Sequence, residues 1–154
     1  IALAIDTLAE RHAAAVVLVP FQRPMDVEAA VSIIRRCKSA PVLLNANTTL
    51  AAMAALFRRC SVVVAMRLHA IILAAKLNVP FLPIAYDPKV SALLTTLRYP
   101  LPALQHGSAP ELIDRLWNER DALRAALAAT TPALERRASQ SFDWLQALVE
   151  GAVS

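Results

Sequence analysis

The chain has 154 residues, of which 57% are apolar and 18% charged, and its formal net charge is +4. That balance excludes a disordered chain and is enough for one real core, while charges or prolines interrupt every apolar run before the roughly 18 to 20 residues a membrane span requires. The positive excess does not point to nucleic acid, because the pairs Arg35/Arg36, Arg58/Arg59 and Arg136/Arg137 are expected near helix ends and no aromatic side chains interleave with them for base stacking.

The first segment, IALAIDTLAERH, has helical spacing from Ile1 onward, so the chain is read as beginning inside a longer polypeptide. Four strand-then-helix units follow. AAVVLVP (14–20) leads to MDVEAAVSIIRRCKS (25–39), PVLLN (41–45) to TTLAAMAALFRRC (48–60), SVVVAM (61–66) to RLHAIILAAKLN (67–78), and PFLPIAY (80–86) to DPKVSALLTTLR (87–98). Short strands that are apolar on both faces and separated by helices predict an α/β fold, a Rossmann-like parallel sheet with helices on both faces.

After Arg98, YPLPALQHGSAP reads as a Pro-rich connection with room for one short strand. Two C-terminal helices are then expected, one with Pro110 near its start and Glu111 in its first turn, the other with Thr131 as N-cap, Pro132 at N1 and Glu135 close behind. No linker or low-complexity tract divides the chain. The expectation is therefore one domain over 1–154, with a βα core at 14–98 and helices at 109–152. Cys37 and Cys60 lie too far apart for a CxxC pair and have no histidine nearby, so they are read as reduced helix or core residues, and no metal or cofactor is expected. Without a cleavable leader the chain is expected in the cytoplasm.

Open α/β sheets bind ligands beyond the carboxyl ends of their strands, which directs attention to residues 20–26, 45–48, 66–69 and 86–89. Only two glycines occur, Gly107 and Gly151, and neither lies between a strand and the helix it opens. A Walker P-loop and a GxGxxG fingerprint are thereby excluded, so any phosphate must be held by side chains and helix ends. At Met66–His69 no Ser, Thr, Asp or Asn precedes the helix, which leaves its first N–H groups to act with Arg67 and His69 on an anion. Equally, Arg67 could make a salt bridge and His69 cap its own helix.

The next junction differs: Asp87 is a good N-cap, Pro88 sits at N1, and Lys89 lies in a first turn where a cation is unfavourable unless it meets an anion or is balanced by Asp87. Asp87 could also serve as a base, but capping explains it. Parallel neighbours lie about 4.8 Å apart, so Lys89 is within reach of a ligand held at the previous junction. Gln22, Arg23 and Asn45 are weaker candidates to reach a ligand, and Tyr86 is a candidate to pack against one. His12 and His106 are read as surface residues.

The run MRLHAIILAAKLNVPFLPIAYDPKV, with VVLVPFQRPMDVEAAVSII upstream, resembles the carboxyl-terminal half of the polysaccharide pyruvyl transferase family, the CsaB-type enzymes above all, over roughly residues 14–97. The resemblance implies the second of two Rossmann-like halves in a glycosyltransferase-B-like fold. It also implies transfer of pyruvate from phosphoenolpyruvate to two hydroxyls of one sugar. For the CsaB-type the acceptor is an N-acetylmannosamine unit of a lipid-linked cell-wall polysaccharide precursor, whose product anchors surface-layer proteins. That acceptor implies work at the inner face of the membrane. His69 and Lys89 match the family's donor-binding histidine and lysine, which gives them the catalytic role, and Arg67 belongs to the same motif. An arginine from the amino-terminal half is also implied, so the isolated chain is expected to be inactive.

Two other functions fit the same residues. The donor half of a nucleotide-sugar glycosyltransferase shares the architecture, although no carboxylate is evident to hold a ribose. A non-catalytic sugar-binding module is the third, against which RLH and YDPK argue.

Overall fold

Apolar runs too short to span a membrane, alternating with amphipathic ones, fold as strands and covering helices. The structure, a computed structural model, describes residues 1–44, 48–84, 88–104 and 109–151, with side chains as far as residue 139. In chain order the elements are α1 (Ala2–His12), β1 (Val17–Leu18), α2 (Met25–Ile34), β2 (Val42–Leu43), α3 (Leu50–Arg59), β3 (Val63–Ala65), α4 (Leu68–Lys76), β4 (Phe81–Pro83), α5 (Pro88–Leu97), α6 (Ala109–Asn118) and α7 (Arg120–Gly151). Among the described residues this is a mixed α/β fold of seven helices and two short parallel sheets.

Each sheet is one strand–helix–strand unit. β1 pairs with β2 through Val17–Val42 and Leu18–Leu43, and β3 pairs with β4 through Val63–Phe81, Val64–Leu82 and Ala65–Pro83. Parallel neighbours need a crossover, which α2 and α4 supply. The connection after α5 does contribute a strand-like contact: Leu104 bridges Ile84 in parallel, and its N–H donates to the Pro83 carbonyl at 2.7 Å.

The core is centred on the second sheet. Ile71, Phe81 and Leu82 are fully buried, and Val90 of α5, Ile113 of α6 and Leu123 of α7 close over them. Each such side chain contributes about 1.5–3 kcal/mol relative to exposure. The first sheet is more lightly covered, with Val17 and Val42 left 42% and 62% exposed. Left-handed residues follow α1, α4 and α5, and in so glycine-poor a chain these are Ala13, Asn78 and Arg98. Their geometry lets Ala14 N–H bond Leu8, Val79 bond Ala74 and Tyr99 bond Leu94, satisfying carbonyls at the helix ends.

Two expectations about the C-terminal region are corrected. Thr131 is not an N-cap: α7 runs unbroken from Arg120 to Gly151 with Pro132 inside it, and the break falls instead between Asn118 and Arg120. Thr131 is buried and donates its hydroxyl to the Ala75 carbonyl at 3.3 Å, which ties α7 to the end of α4. Consequently Arg136 and Arg137 lie well inside α7 and not near a helix end. Arg35 and Arg36 do follow α2, and Arg58 and Arg59 do occupy the last turn of α3.

His12 is likewise not a plain surface residue. Its Nε2 lies 2.8 Å from Asp114 Oδ1, and its ring stacks on Trp117 at 5.1 Å, so α1 and α6 are joined through it. His106 lies outside the described residues.

Candidate active site

In parallel pairs the helices that follow the strands all start at one sheet end, and here Ala65 and Pro83 are level partners. The start of α4 and the start of α5 therefore lie toward the same end of that sheet. Arg67 is the N-cap of α4, with φ −81° and ψ 127°, and no side chain caps the helix. The Ala70 and Ile71 N–H groups bond the Arg67 carbonyl at 3.0 and 3.1 Å. Those of Leu68 and His69 have no carbonyl a turn behind them and carry the positive end of the helix dipole. The uncapped start anticipated from MRLHA is thus present.

His69 is exposed in this first turn, and its imidazole hydrogen-bonds to no described residue. Lys89 is exposed as the second residue of α5, directly after Pro88. Tyr86, Asp87 and Asn45 lie outside the described residues. Gln22 presents an exposed side chain in the β1–α2 turn, while Arg23 reaches across to the Leu44 carbonyl at 3.2 Å, at the end of β2.

Arg67 meets a carboxylate at the end of the 20–26 stretch, one that no motif singles out. Asp26, in the first turn of α2, binds the Nε and Nη2 of Arg67, with Nε to Oδ1 at 3.2 Å. The same carboxylate accepts the N–H groups of Phe21 at 3.0 Å and Gln22 at 2.8 Å. Burial works to raise the Asp26 pKa, but Arg67 and those two N–H groups outweigh it and hold the carboxyl below its usual range. The salt-bridge alternative for Arg67 is therefore realised, and its partner is supplied by the first turn of α2, the helix that follows β1. The one sequence signal was an acid at the start of a helix that follows a strand.

Between the two sheets lies a cavity of about 660 Å³, with β1 and β3 as its long walls and Phe57 and Ile33 among its apolar lining. Asp26 and Arg67 also line it, just beyond the carboxyl ends of those strands. Among the described residues no group of three or more His, Cys, Asp or Glu side chains could hold a metal ion. The two thiols are unpaired, each donating to the carbonyl four residues earlier, and burial raises both above the ordinary thiol range.

Comparison with protein families places the chain. The family model described as polysaccharide pyruvyl transferase matches residues 1–88, more than half of the 154-residue chain. The chain belongs to the polysaccharide pyruvyl transferase family. No curated protein and no solved structure matches it. The pyruvyl transferase match reaches further toward the N-terminus than the resemblance at residues 14–97, taking in α1, and it includes Gln22, Asp26, Arg67 and His69. Lys89 is the first residue past it. Among the described residues of this pyruvyl transferase chain, no helix is long and apolar enough to cross a membrane.

Proposed function

We propose that this chain is the donor-binding half of an enzyme that transfers pyruvate from phosphoenolpyruvate to two hydroxyls of one sugar, releasing inorganic phosphate. The observation that carries it is the uncapped start of α4 at Arg67–His69, inside the family match and at the same sheet end as Lys89. Phosphoenolpyruvate carries about three negative charges near neutral pH and requires a cationic, donor-rich pocket. Arg67 and Lys89 hold the phosphate and carboxylate, together with the first N–H groups of α4. His69 binds the donor or moves a proton, a task imidazole performs near neutral pH. Tyr86 is assigned to donor binding, and Gln22 to contact with acceptor or donor.

The reaction balances without an external reagent. One hydroxyl proton ends on the methylene carbon of the donor, which becomes a methyl group. The other leaves with phosphate, and both sugar oxygens bond to the former enol carbon. The acceptor is an N-acetylmannosamine unit of a lipid-linked precursor, reached at the inner face of the membrane. The whole chain is one Rossmann-like domain of a glycosyltransferase-B-like pair, its two parallel strand pairs presenting their carboxyl ends on one side. The Asp26–Arg67 contact near those ends supports that reading. An arginine from the preceding half completes the cation set.

The test is acceptor-dependent phosphate release from phosphoenolpyruvate by the full-length enzyme with a panel of lipid-linked sugars. Substituting His69→Ala or Lys89→Ala should lower turnover about 100-fold or more. Unchanged turnover in both variants removes the site assignment. Nucleotide-sugar binding with no response to phosphoenolpyruvate replaces the donor.

A further inference from the structure

We infer that Asp26 is a positioning residue for donor capture, one that sets the plane of the Arg67 guanidinium. The inference rests on the reading of Arg67 as a donor ligand. Its basis is separate, because nothing in the motif around Arg67 involves Asp26.

Three observations lead there. First, the carboxylate grips the Nε and Nη2 edge of the guanidinium, a two-point contact that fixes the orientation of a planar group where a single point would not. Second, the carboxylate is itself fixed, since Phe21 and Gln22 donate their backbone N–H groups to it and burial leaves its side chain 16% exposed. Third, the contact spans the two sheets. Among the described residues no ladder joins β1 to β3, and the cavity lies between them, so the pair couples the end of one sheet to the candidate site on the other.

Charge alone argues the opposite way. A carboxylate beside an anion site repels the anion and neutralises the arginine, so its removal would strengthen donor binding if it acted only as a charge. What Asp26 adds is geometry: an arginine free to rotate loses the alignment on which bidentate capture of phosphate or carboxylate depends. The two effects have opposite signs in KM, which makes them separable.

The experiment is steady-state kinetics of the full-length enzyme with phosphoenolpyruvate and its acceptor, comparing the unaltered protein with Asp26→Asn and Arg67→Ala. Asp26→Asn keeps the shape of the side chain and removes its charge. The expected result is a KM for phosphoenolpyruvate raised about tenfold with kcat changed far less, the signature of lost uniform binding. A merely structural role would lower the active fraction, and hence kcat, while leaving KM where it was. An unchanged or lowered KM overturns the inference. Should Asp26→Asn not fold, Asp26→Glu, which keeps the charge and shifts it by one methylene, reads the same quantity: a raised KM supports positioning and an unchanged one overturns it. Arg67→Ala separates the two levels. If that variant keeps its donor KM, the donor role of Arg67 itself fails, whatever Asp26 does.

Discussion

Tyr99 shows how much one side chain settles in a sheet of only two strands. β4 pairs with β3 along one edge, which leaves the Phe81 N–H and carbonyl on the other. Tyr99 answers both: its hydroxyl accepts the Phe81 N–H at 2.8 Å and donates to the Phe81 carbonyl at 2.9 Å, while its ring stacks on the Phe81 ring at 4.2 Å. Burial pushes its pKa up to about 12. Tyr99→Phe keeps the stacking but strands two buried backbone groups, and it should cost about 1–3 kcal/mol in urea unfolding. A loss below a few tenths would mean that water replaces the hydroxyl. Because the folded pKa is raised, the tyrosine's contribution is fully present below its unfolded value near 10 and is lost as pH rises toward 12. At this scale the sequence is legible only where the physics is local. The uncapped start of α4 can be read from AMRLHA, since capping depends on adjacent residues. The Asp26–Arg67 pair cannot, because 41 positions separate its members and no spacing rule links them.

Helix α7 shows the same limit for an element. Thr131, Pro132 and Glu135 form a persuasive helix start, yet the helix passes straight through them. Local chemistry is outweighed by tertiary contacts on both sides of the proline. Leu123 and Leu127 are buried before it, Leu134 packs against the core after it, and Thr131 donates to the end of α4. Thr130 adds a bond back to the Ala126 carbonyl at 3.0 Å. Pro132 removes the N–H that the Ala128 carbonyl would otherwise accept, a defect of about 3 kcal/mol in a helix interior. Since Pro132 is exposed, replacing it should not disturb the core. Pro132→Ala is therefore expected to raise Tm by several degrees. A helix that started afresh at Pro132 would instead be unchanged or weakened by the substitution, so the sign of the shift decides between the two. The strand–helix alternation from β1 to α5 is legible because hydrophobic period is a property of the segment itself. The two- and three-residue ladders are not, because pairing length depends on how far each partner strand stays aligned.

Across the molecule, three carboxylates tie together elements that are remote in sequence, and all three are held below the usual carboxylate range. Asp6 on α1 accepts the Ser39 N–H and hydroxyl and the Lys38 N–H, joining α1 to the turn before β2. Asp26 joins α2 to the start of α4. Asp114 on α6 is held down chiefly by His12, with Arg11 adding to it, and so joins α6 to α1. A carboxylate whose folded pKa is depressed stabilises the fold fully above its unfolded value, about 4, and loses that contribution as pH falls through the folded value. Below pH 4 the unfolded chain binds protons that the native ties refuse, so stability must fall with pH there. Chemical denaturation of the chain should therefore give a midpoint that depends little on these carboxylates between pH 7 and about 5 and drops steeply below about 4. Asp6→Asn should lower stability at neutral pH and flatten the acid slope, since the altered residue no longer takes up a proton on unfolding. Because Asp6 lies outside the candidate site, that change isolates a structural tie from a donor contact. A slope that is equally steep with and without the Asp6 carboxylate would show that the acid transition arises from other groups, and would remove this three-point account of what holds α1, α2, α4 and α6 in register.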